Sequence, residues 1–316
     1  MAASLDESRN AAAAAARGMA RPAGSRQRWT MLALVAPAVG VLLIWMIVPL
    51  AMTIYFSLQR FNILYPERFG FVGFRNFQIL LNDPLFWSSM GRTLILVGAS
   101  LAVTVILGIV LALVMEREFP GRSIARLMAL APFFVMPVVA ALVWKNMLMH
   151  PVYGLLSWLT SSLGLPVVDW LQNWPMTSIV IIVAWQWTPF AMLVFLTSLQ
   201  SMPEEQKEAA WLDGANPLQM FFSIILPHLS RAITAVVMIE SIFFLSIFAE
   251  IFTTTGGGPG QASTTLTYII YARAFLEWNV GSASAGGLFA VVLANIVAIL
   301  LIRMVARNMQ NPEKFG

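Results

Sequence analysis

Six stretches of this sequence are long and apolar enough to cross a lipid bilayer, and that constrains every other reading of the chain. A spanning helix needs about 20 mostly apolar residues. Such runs fall at about 30–57, 88–115, 125–148, 176–199, 231–252 and 284–305. Composition agrees: 59% of the residues are hydrophobic and 11% charged, too little charge to cover a water-soluble domain of this length. Inside hydrocarbon every backbone polar group must be bonded within the protein, which runs of this length achieve as helices. The expectation is an all-α membrane protein with six transmembrane helices. Pro132, Pro137 and Pro189 interrupt the third and fourth runs, and neighbouring helices must satisfy the carbonyls they free.

Basic residues orient the chain. Segments on one side hold Arg9, Arg17, Arg21, Arg26, Arg28, Arg117, Arg122, Arg126, Lys207, Arg231, Arg303, Arg307 and Lys314; the other side holds Arg60, Arg68, Arg75, Arg92, Lys145 and Arg273. The excess lies on the side of both termini, which are expected to be cytosolic. This divides the chain into a cytosolic tail (1–29), a first helix and outer loop (30–87), a core (88–306) with a cytosolic loop at 201–230, and a short cytosolic tail (307–316). A secretory signal is the rival reading of the N-terminal end, but the apolar run that follows far exceeds the roughly 7–15 residues of a signal core. Residues 58–87 read as an interfacial segment, and the Trp- and Pro-rich stretch 150–175 as a headgroup belt. "TTTGGGPGQAST" (253–264), with Gly256, Gly257, Gly258 and Pro259, reads as an outer turn-forming loop.

Several chemistries are excluded. There is no cysteine, so there are no disulfides and no thiolate sites. His150 and His228 are the only histidines and stand apart, without metal-ligand spacing. No Gly-x-Ser-x-Gly elbow is present, and nothing points to a nucleic-acid partner. A phosphate-binding loop needs a Gly-Lys step, yet none of Lys145, Lys207 and Lys314 follows a glycine. The chain therefore carries no such ATP site and no cofactor of its own.

Polar residues inside apolar runs are candidates for a translocation path. Glu240 and Glu250 are intramembrane acids, which by default face protein or water. Glu250 is also readable as reaching the interface at the outer end of its span, and Glu240 as a structural group two turns from Arg231. Trp185, Gln186 and Trp187 in the fourth run, Asn146 at the end of the third and Asn295 in the sixth offer amides and aromatic faces to a hydroxyl-rich ligand. Packing is the competing role for the tryptophans, and helix–helix hydrogen bonding for Asn295. "GSASAGG" (281–287) places small residues four apart, a helix-packing signal.

The loop between the fourth and fifth runs is the most patterned part of the chain. In "MPEEQKEAAWLDGANPLQMFFSIILPHL", Ser201 is a candidate cap, Pro203 suits a first turn, and Glu204 and Glu205 complement the helix dipole. Gly214 stops this helix; Asn216 and Pro217 start a second, which Pro227 is expected to break. A linker lying on the membrane surface is one reading of this pair.

Its spacing also resembles the EAA motif of binding-protein-dependent ABC importer permeases: Glu-Ala-Ala, three residues, Gly, nine residues, Ile-x-Leu-Pro. Here Glu208, Ala209, Ala210, Gly214, Ile224, Leu226 and Pro227 fill the fixed positions, Asp213 and Ala215 also fit, and Leu212 belongs to the same element. Ser230 and Arg231 stand where many members carry a further proline. "APAVGVLLIWMIVPLAMTIYFSL", "FVGFRNF" and the Gly256–Pro259 loop are similar to other parts of the same family's carbohydrate branch, and sorbitol or mannitol permeases look most alike. The resemblance covers about residues 30–306. It implies the type I importer permease architecture and an inner-membrane location. It further implies a second, different permease, two ATPase subunits that hold ATP and Mg, and a periplasmic or extracellular solute-binding protein. The element at 208–227 would dock on an ATPase subunit, with Glu208 as the charged contact, Ala209 and Ala210 allowing close approach, and Gly214 as pivot. A stand-alone secondary transporter, a membrane enzyme and a purely structural assembly subunit are the competing functions; the first would need its own ion site, the second an interfacial cluster of acids or histidines.

Overall fold

The computed structural model describes residues 25–309, with side chains for 34–300 and Arg303. Of the expected tails at 1–29 and 307–316, residues 1–24 and 310–316 lie outside the described residues, while 25–29 and 307–309 continue the first and last helices. The chain divides into two compact units, Met1–Tyr55 and Phe56–Gly316.

The first unit carries all but the last two residues of one long helix, α1 (Ser25–Ser57), whose apolar portion Leu34–Ser57 is long enough to span. Pro37 and Pro49 lie inside it, and the Thr53 hydroxyl donates to the Pro49 carbonyl at 2.8 Å.

The second unit begins with more structure than an interfacial segment implies. Strands β1 (Gln59–Arg60) and β2 (Gly70–Phe71) pair antiparallel, and a short helix α2 (Arg75–Leu81) follows. Asn76, buried at its start, donates to the carbonyls of Ser57 and Gln59, both at 2.8 Å. Helix α3 (Pro84–Glu116) starts where Asp83 accepts from the Leu85 amide at 2.9 Å with Pro84 in the first turn. Helix α8 (Pro175–Gln200) lies against α3. The approach is close because Gly108 has no side chain: a Cβ there would sit 2.7 Å from the Ala191 Cβ.

The third apolar run does not form a straight span. It folds as α4 (Arg122–Leu130) with a 3-10 turn Ala131–Phe134, then α5 (Pro137–Leu142) with a wide π turn Val143–Leu148, and the two parts are bent by 98°. The cause is Pro137, which disfavours helical geometry in the residue before it; Met136 accordingly has ψ 139°. Short helices α6 (Leu155–Ser162) and α7 (Trp170–Asn173) occupy the stretch read as a headgroup belt.

Two further expectations are corrected. Pro227 breaks nothing: from α10 (Pro217–Met220) the chain passes through a π turn, Phe221–Ile225, into α11 (Leu226–Leu245). The wide turn resets the hydrogen-bond register, so Pro227 falls in the first turn of the new segment, where its missing N–H is harmless. The fifth span then ends at Leu245, not 252, and Glu250 sits on a separate helix, α12 (Ala249–Thr254). The chain closes with α13 (Leu266–Tyr271), a π turn Ala272–Leu276, and α14 (Val280–Met309). The small-residue run packs as expected, with a Cβ on Gly286 falling 3.1 Å from Ile270. Among the described residues five helices are long and apolar enough to cross a membrane, or six if the bent pair counts as one span.

Buried apolar side chains form three clusters in the second unit. One, around Ile109, Met192, Phe195 and Leu229, joins α3, α8 and α11. A second, around Leu96, Val183, Phe244 and Ile251, continues it. The third, around Phe86, Ile269 and Ala285, joins α3, α13 and α14.

Candidate functional site

At the Glu116 end of α3 the loop 201–230 folds as two short helices. Ser201 does not cap the first; its hydroxyl turns back to the Ser198 carbonyl at 2.7 Å, closing α8 instead. Pro203 supplies the extended entry and α9 runs over Glu204–Leu212. Gly214 follows with φ +81°, and the Ala215 amide reaches the Ala210 carbonyl at 3.0 Å, a helix stop that glycine adopts without strain. Asn216 and Gln219 then form a reciprocal capping box, both bonds at 2.9 Å.

Helix α9 has two faces. Ala210 is buried and Lys207 reaches Glu116 at 2.5 Å, fastening the helix to the end of α3. The carbonyls that end α3 are further met by Arg126 (2.7 Å to Met115) and Arg122 (3.4 Å to Glu116), cations where the helix dipole favours them. His228 joins the Ser198 carbonyl at 2.9 Å. Away from the bundle Glu204, Glu205, Glu208, Ala209 and Asp213 are exposed, together with Trp211 and Leu212, the latter 89% exposed. Ala209 and Ala210 thus part ways: the first is open to an approaching surface and the second packs inward. Ile224, Leu226 and Pro227 are half-buried, and Ile225 and Leu226 pack on the first cluster. The Lys207–Glu116 pair was not anticipated, because nothing in the sequence links positions 91 residues apart.

The glycine-rich loop is built the opposite way. Gly257 has φ +82° and is buried; its carbonyl accepts from Thr264 at 3.0 Å. Ser263, fully buried, lies 2.7 Å from both the Thr255 hydroxyl and the Gly258 carbonyl. The Gly258–Pro259 peptide bond is cis. Thr267 donates to the Ile247 carbonyl at 2.6 Å and Thr93 accepts from the Leu266 amide at 2.9 Å. Gly256 and the tip, Gly260–Ala262, are exposed. Nearby, Arg273 is buried between Ser282 (2.6 Å) and Asp83, tying the π turn to the start of α3 and to α14.

Three of the path candidates are engaged inside the bundle. Gln186 is buried and donates to the Val135 carbonyl at 2.7 Å, the carbonyl freed at the break in the third run. Trp187 meets Phe133 at 5.6 Å, Phe243 at 4.8 Å and Phe244 at 5.6 Å between ring centres. Glu240, one turn before Phe244 on α11, is fully buried and accepts from the Thr104 hydroxyl at 2.6 Å. Its partner is Thr104 of α3, not Arg231, which is exposed. Among the described residues, five buried oxygens on these helices have no protein partner: Glu240 Oε1, Gln186 Oε1, Ser89 Oγ, Ser100 Oγ and Thr188 Oγ1.

The other candidates stand elsewhere. Trp185 packs edge-on against Trp144. Glu250 is 4% exposed, so it does not reach out to an interface. Asn146 is exposed, and Asn295, also exposed, bonds the Val291 carbonyl of its own helix at 2.8 Å, not a neighbour.

With this geometry in place, comparison with known proteins is direct. A family model described as binding-protein-dependent transport system inner membrane component matches residues 27–311. The chain is 33% identical over 279 residues to the trehalose/maltose transport system permease protein MalF of Thermococcus litoralis, covering 87% of this chain and 94% of that one. It is 30% identical over 283 residues to the sn-glycerol-3-phosphate transport system permease protein UgpA of Agrobacterium fabrum, again covering 87% and 94%. Among solved structures, a chain of a bacterial alginate ABC transporter in complex with an alginate-bound periplasmic protein superposes with a TM-score of 0.75 at 23% identity, over 89% of this chain and 96% of that one. The fold is that of a type I ABC importer permease.

Proposed function

This chain belongs to the binding-protein-dependent transport system inner membrane component family, and on that premise we propose that it is one of two different permease subunits of an ATP-driven sugar importer. It is a multi-pass inner-membrane transport protein and not an enzyme. In our reading a solute-binding protein outside the membrane delivers a sugar or sugar alcohol, sorbitol- or mannitol-like or another glycoside. Two ATPase subunits, holding ATP and Mg, drive its passage to the cytosol of a bacterial cell. Both chain termini are cytosolic, as is the loop 201–230. Relatives named for trehalose, maltose and sn-glycerol-3-phosphate favour a hydroxyl-rich solute.

One observation carries the coupling role. Helix α9 presents Glu208, Ala209, Leu212 and Asp213 outward at motif spacing while Lys207 and Ala210 hold it to the bundle. A groove on the ATPase subunit would take the outward face, with Gly214 letting α10 follow the spans. Closure of the ATPase pair would then favour one of two permease states, which is alternating access by differential binding. For the path we assign Gln186, Trp187 and Glu240, whose buried acceptors and aromatic faces suit hydroxyl groups. Glu250, Asn146, Asn295 and Trp185 line other stretches of it in this reading, and the Gly256–Pro259 loop braces the outer side.

The test is uptake of radiolabelled polyols and disaccharides into cells carrying Glu208→Lys or Gly214→Val. We expect uptake to fall tenfold or more while both variants remain membrane-inserted, and ATPase capture by the tagged chain to fall with it. Undiminished uptake in both variants would sink the docking role.

A further inference from the structure

We propose that the outer hairpin forms a binding site for the headgroup of an anionic phospholipid. Between β1, β2 and α2 lies a cavity of about 300 Å³, at the lower end of the range for ligand pockets. Arg60, Arg68 and Arg75 line it, with Tyr65, Asn76 and Asn279, and no carboxylate is among its lining residues. Each arginine comes from a separate piece of backbone: a strand, a 3-10 turn and the start of α2.

Their partners, or lack of them, make this an anion site. Other cations at this end of the bundle are committed: Arg273 to Asp83 and Ser282, Lys145 to the Thr253 carbonyl, Arg92 to Ser88. Among the described residues the Arg60 and Arg75 side chains have neither a hydrogen bond nor an ion pair. Arg68 has only its chain neighbour Glu67, at 3.7 Å with both side chains well exposed, and lies 5.2 Å over the Tyr65 ring. Glu277, the other nearby carboxylate, is exposed and outside the lining. The amides of the wall are partly engaged as well. Asn76 holds Ser57 and Gln59, Asn62 holds Glu277 and Leu64, and Asn279 receives Ser282. Three guanidinium groups, which match phosphate oxygens in pairs, are left lining the cavity, each on an exposed residue.

The rim identifies the source of the anion. Ile63, Leu64, Phe71 and Phe74 are exposed around the hairpin, Phe71 by 73% and Phe74 by 71%. The cavity also opens two residues beyond the end of one span and shortly before Pro84 begins the next. An apolar, aromatic rim at that level suits acyl chains and the headgroup boundary better than a soluble anion or an acidic protein face. The leaflet rests on the orientation proposed above; the lipid preference does not.

Native mass spectrometry of the purified transporter reads this directly. Phosphatidylglycerol and phosphatidylcholine of identical acyl chains are offered together, with inorganic phosphate as the soluble competitor. We expect the wild type to retain phosphatidylglycerol roughly tenfold over phosphatidylcholine, and Arg60→Gln/Arg68→Gln/Arg75→Gln to bring the ratio to within about twofold. The triple lysine variant keeps most of the preference, which separates charge from misfolding; its loss alongside the glutamine variant would count against the site. Equal preference in wild type and glutamine variant overturns the proposal. So does displacement of the lipid by millimolar phosphate, which would mean a free-anion site. A glutamine variant that releases the solute-binding protein with unchanged lipid adducts also overturns it, in favour of a protein interface. Because the readout is lipid retention, loss of uptake in Glu208→Lys leaves it unmoved, so the two proposals fail separately.

Discussion

Gly214 has φ +81° and Gly257 φ +82°. A Cβ added at Gly214 meets nothing within 4 Å, whereas at Gly257 it would lie 2.6 Å from the Tyr268 ring and 2.8 Å from the Thr264 hydroxyl. The two loops therefore solve one backbone problem in opposite settings. Around Gly214 the side chains point outward, and the helix is tied to the bundle through Lys207 and Ala210. Around Gly257 the hydroxyls of Ser263, Thr264 and Thr267 turn inward to backbone carbonyls. Glycine content alone does not distinguish a surface left open for a partner from a buried brace; what the missing Cβ would touch does.

Substitutions can break or sharpen this contrast. Gly257→Ala adds a clash with a rigid ring to left-handed strain and is expected to cost about 2–4 kcal/mol, read as a lowered melting temperature of the purified transporter. Gly214→Ala carries only the strain, about 1–2 kcal/mol; equal losses at the two positions would erase the distinction. Thr264→Val keeps the volume and leaves the buried Gly257 carbonyl with the Ser263 amide at 3.2 Å as its remaining donor, costing about 0.5–1.5 kcal/mol in the same melt. At the other end, Glu116→Gln with Lys207→Met forms a double-mutant cycle. The pair is about one-quarter exposed on each side, so a coupling energy of at most about 1 kcal/mol is expected. Leu212→Ser, at a side chain 89% exposed, should move the melt by less than about 0.5 kcal/mol while weakening ATPase capture in a pull-down. A large drop in its melting temperature would mean that α9 packs within the bundle after all.

Much of this architecture was legible because apolar length is a strong signal. The runs that became α1, α3, α8 and α14 were found within a few residues, and so were Gly214 and the Asn216 start. The failures share a cause: polar backbone satisfied from far along the chain. Pro137 bends the third run, yet the Val135 carbonyl freed there is held by Gln186, 51 residues along the chain from Val135. Pro227 signals a break, but the π turn at Phe221–Ile225 absorbs it. Glu240 looked like a neighbour of Arg231 along the helix, and its hydrogen bond goes to Thr104, 136 residues earlier. Ser201 was read forward as a cap and bonds backward to Ser198. Spacing within one helix does not report which neighbouring helix supplies the partner.

Helix α3 runs unbroken for 33 residues, about 50 Å of rise. Asp83 at its start is gripped by Arg273, and Glu116 at its end by Lys207. In mechanical terms it is a rod pinned by charge at both tips, one pin on the helix that carries Glu208 and the other beside the glycine-rich brace. A tilt of about 4° over that rise carries one tip about 3.5 Å sideways relative to the other. With no proline inside α3 to absorb the tilt as a bend, a push on α9 and a shift at the Arg273 end would be the two ends of one lever stroke.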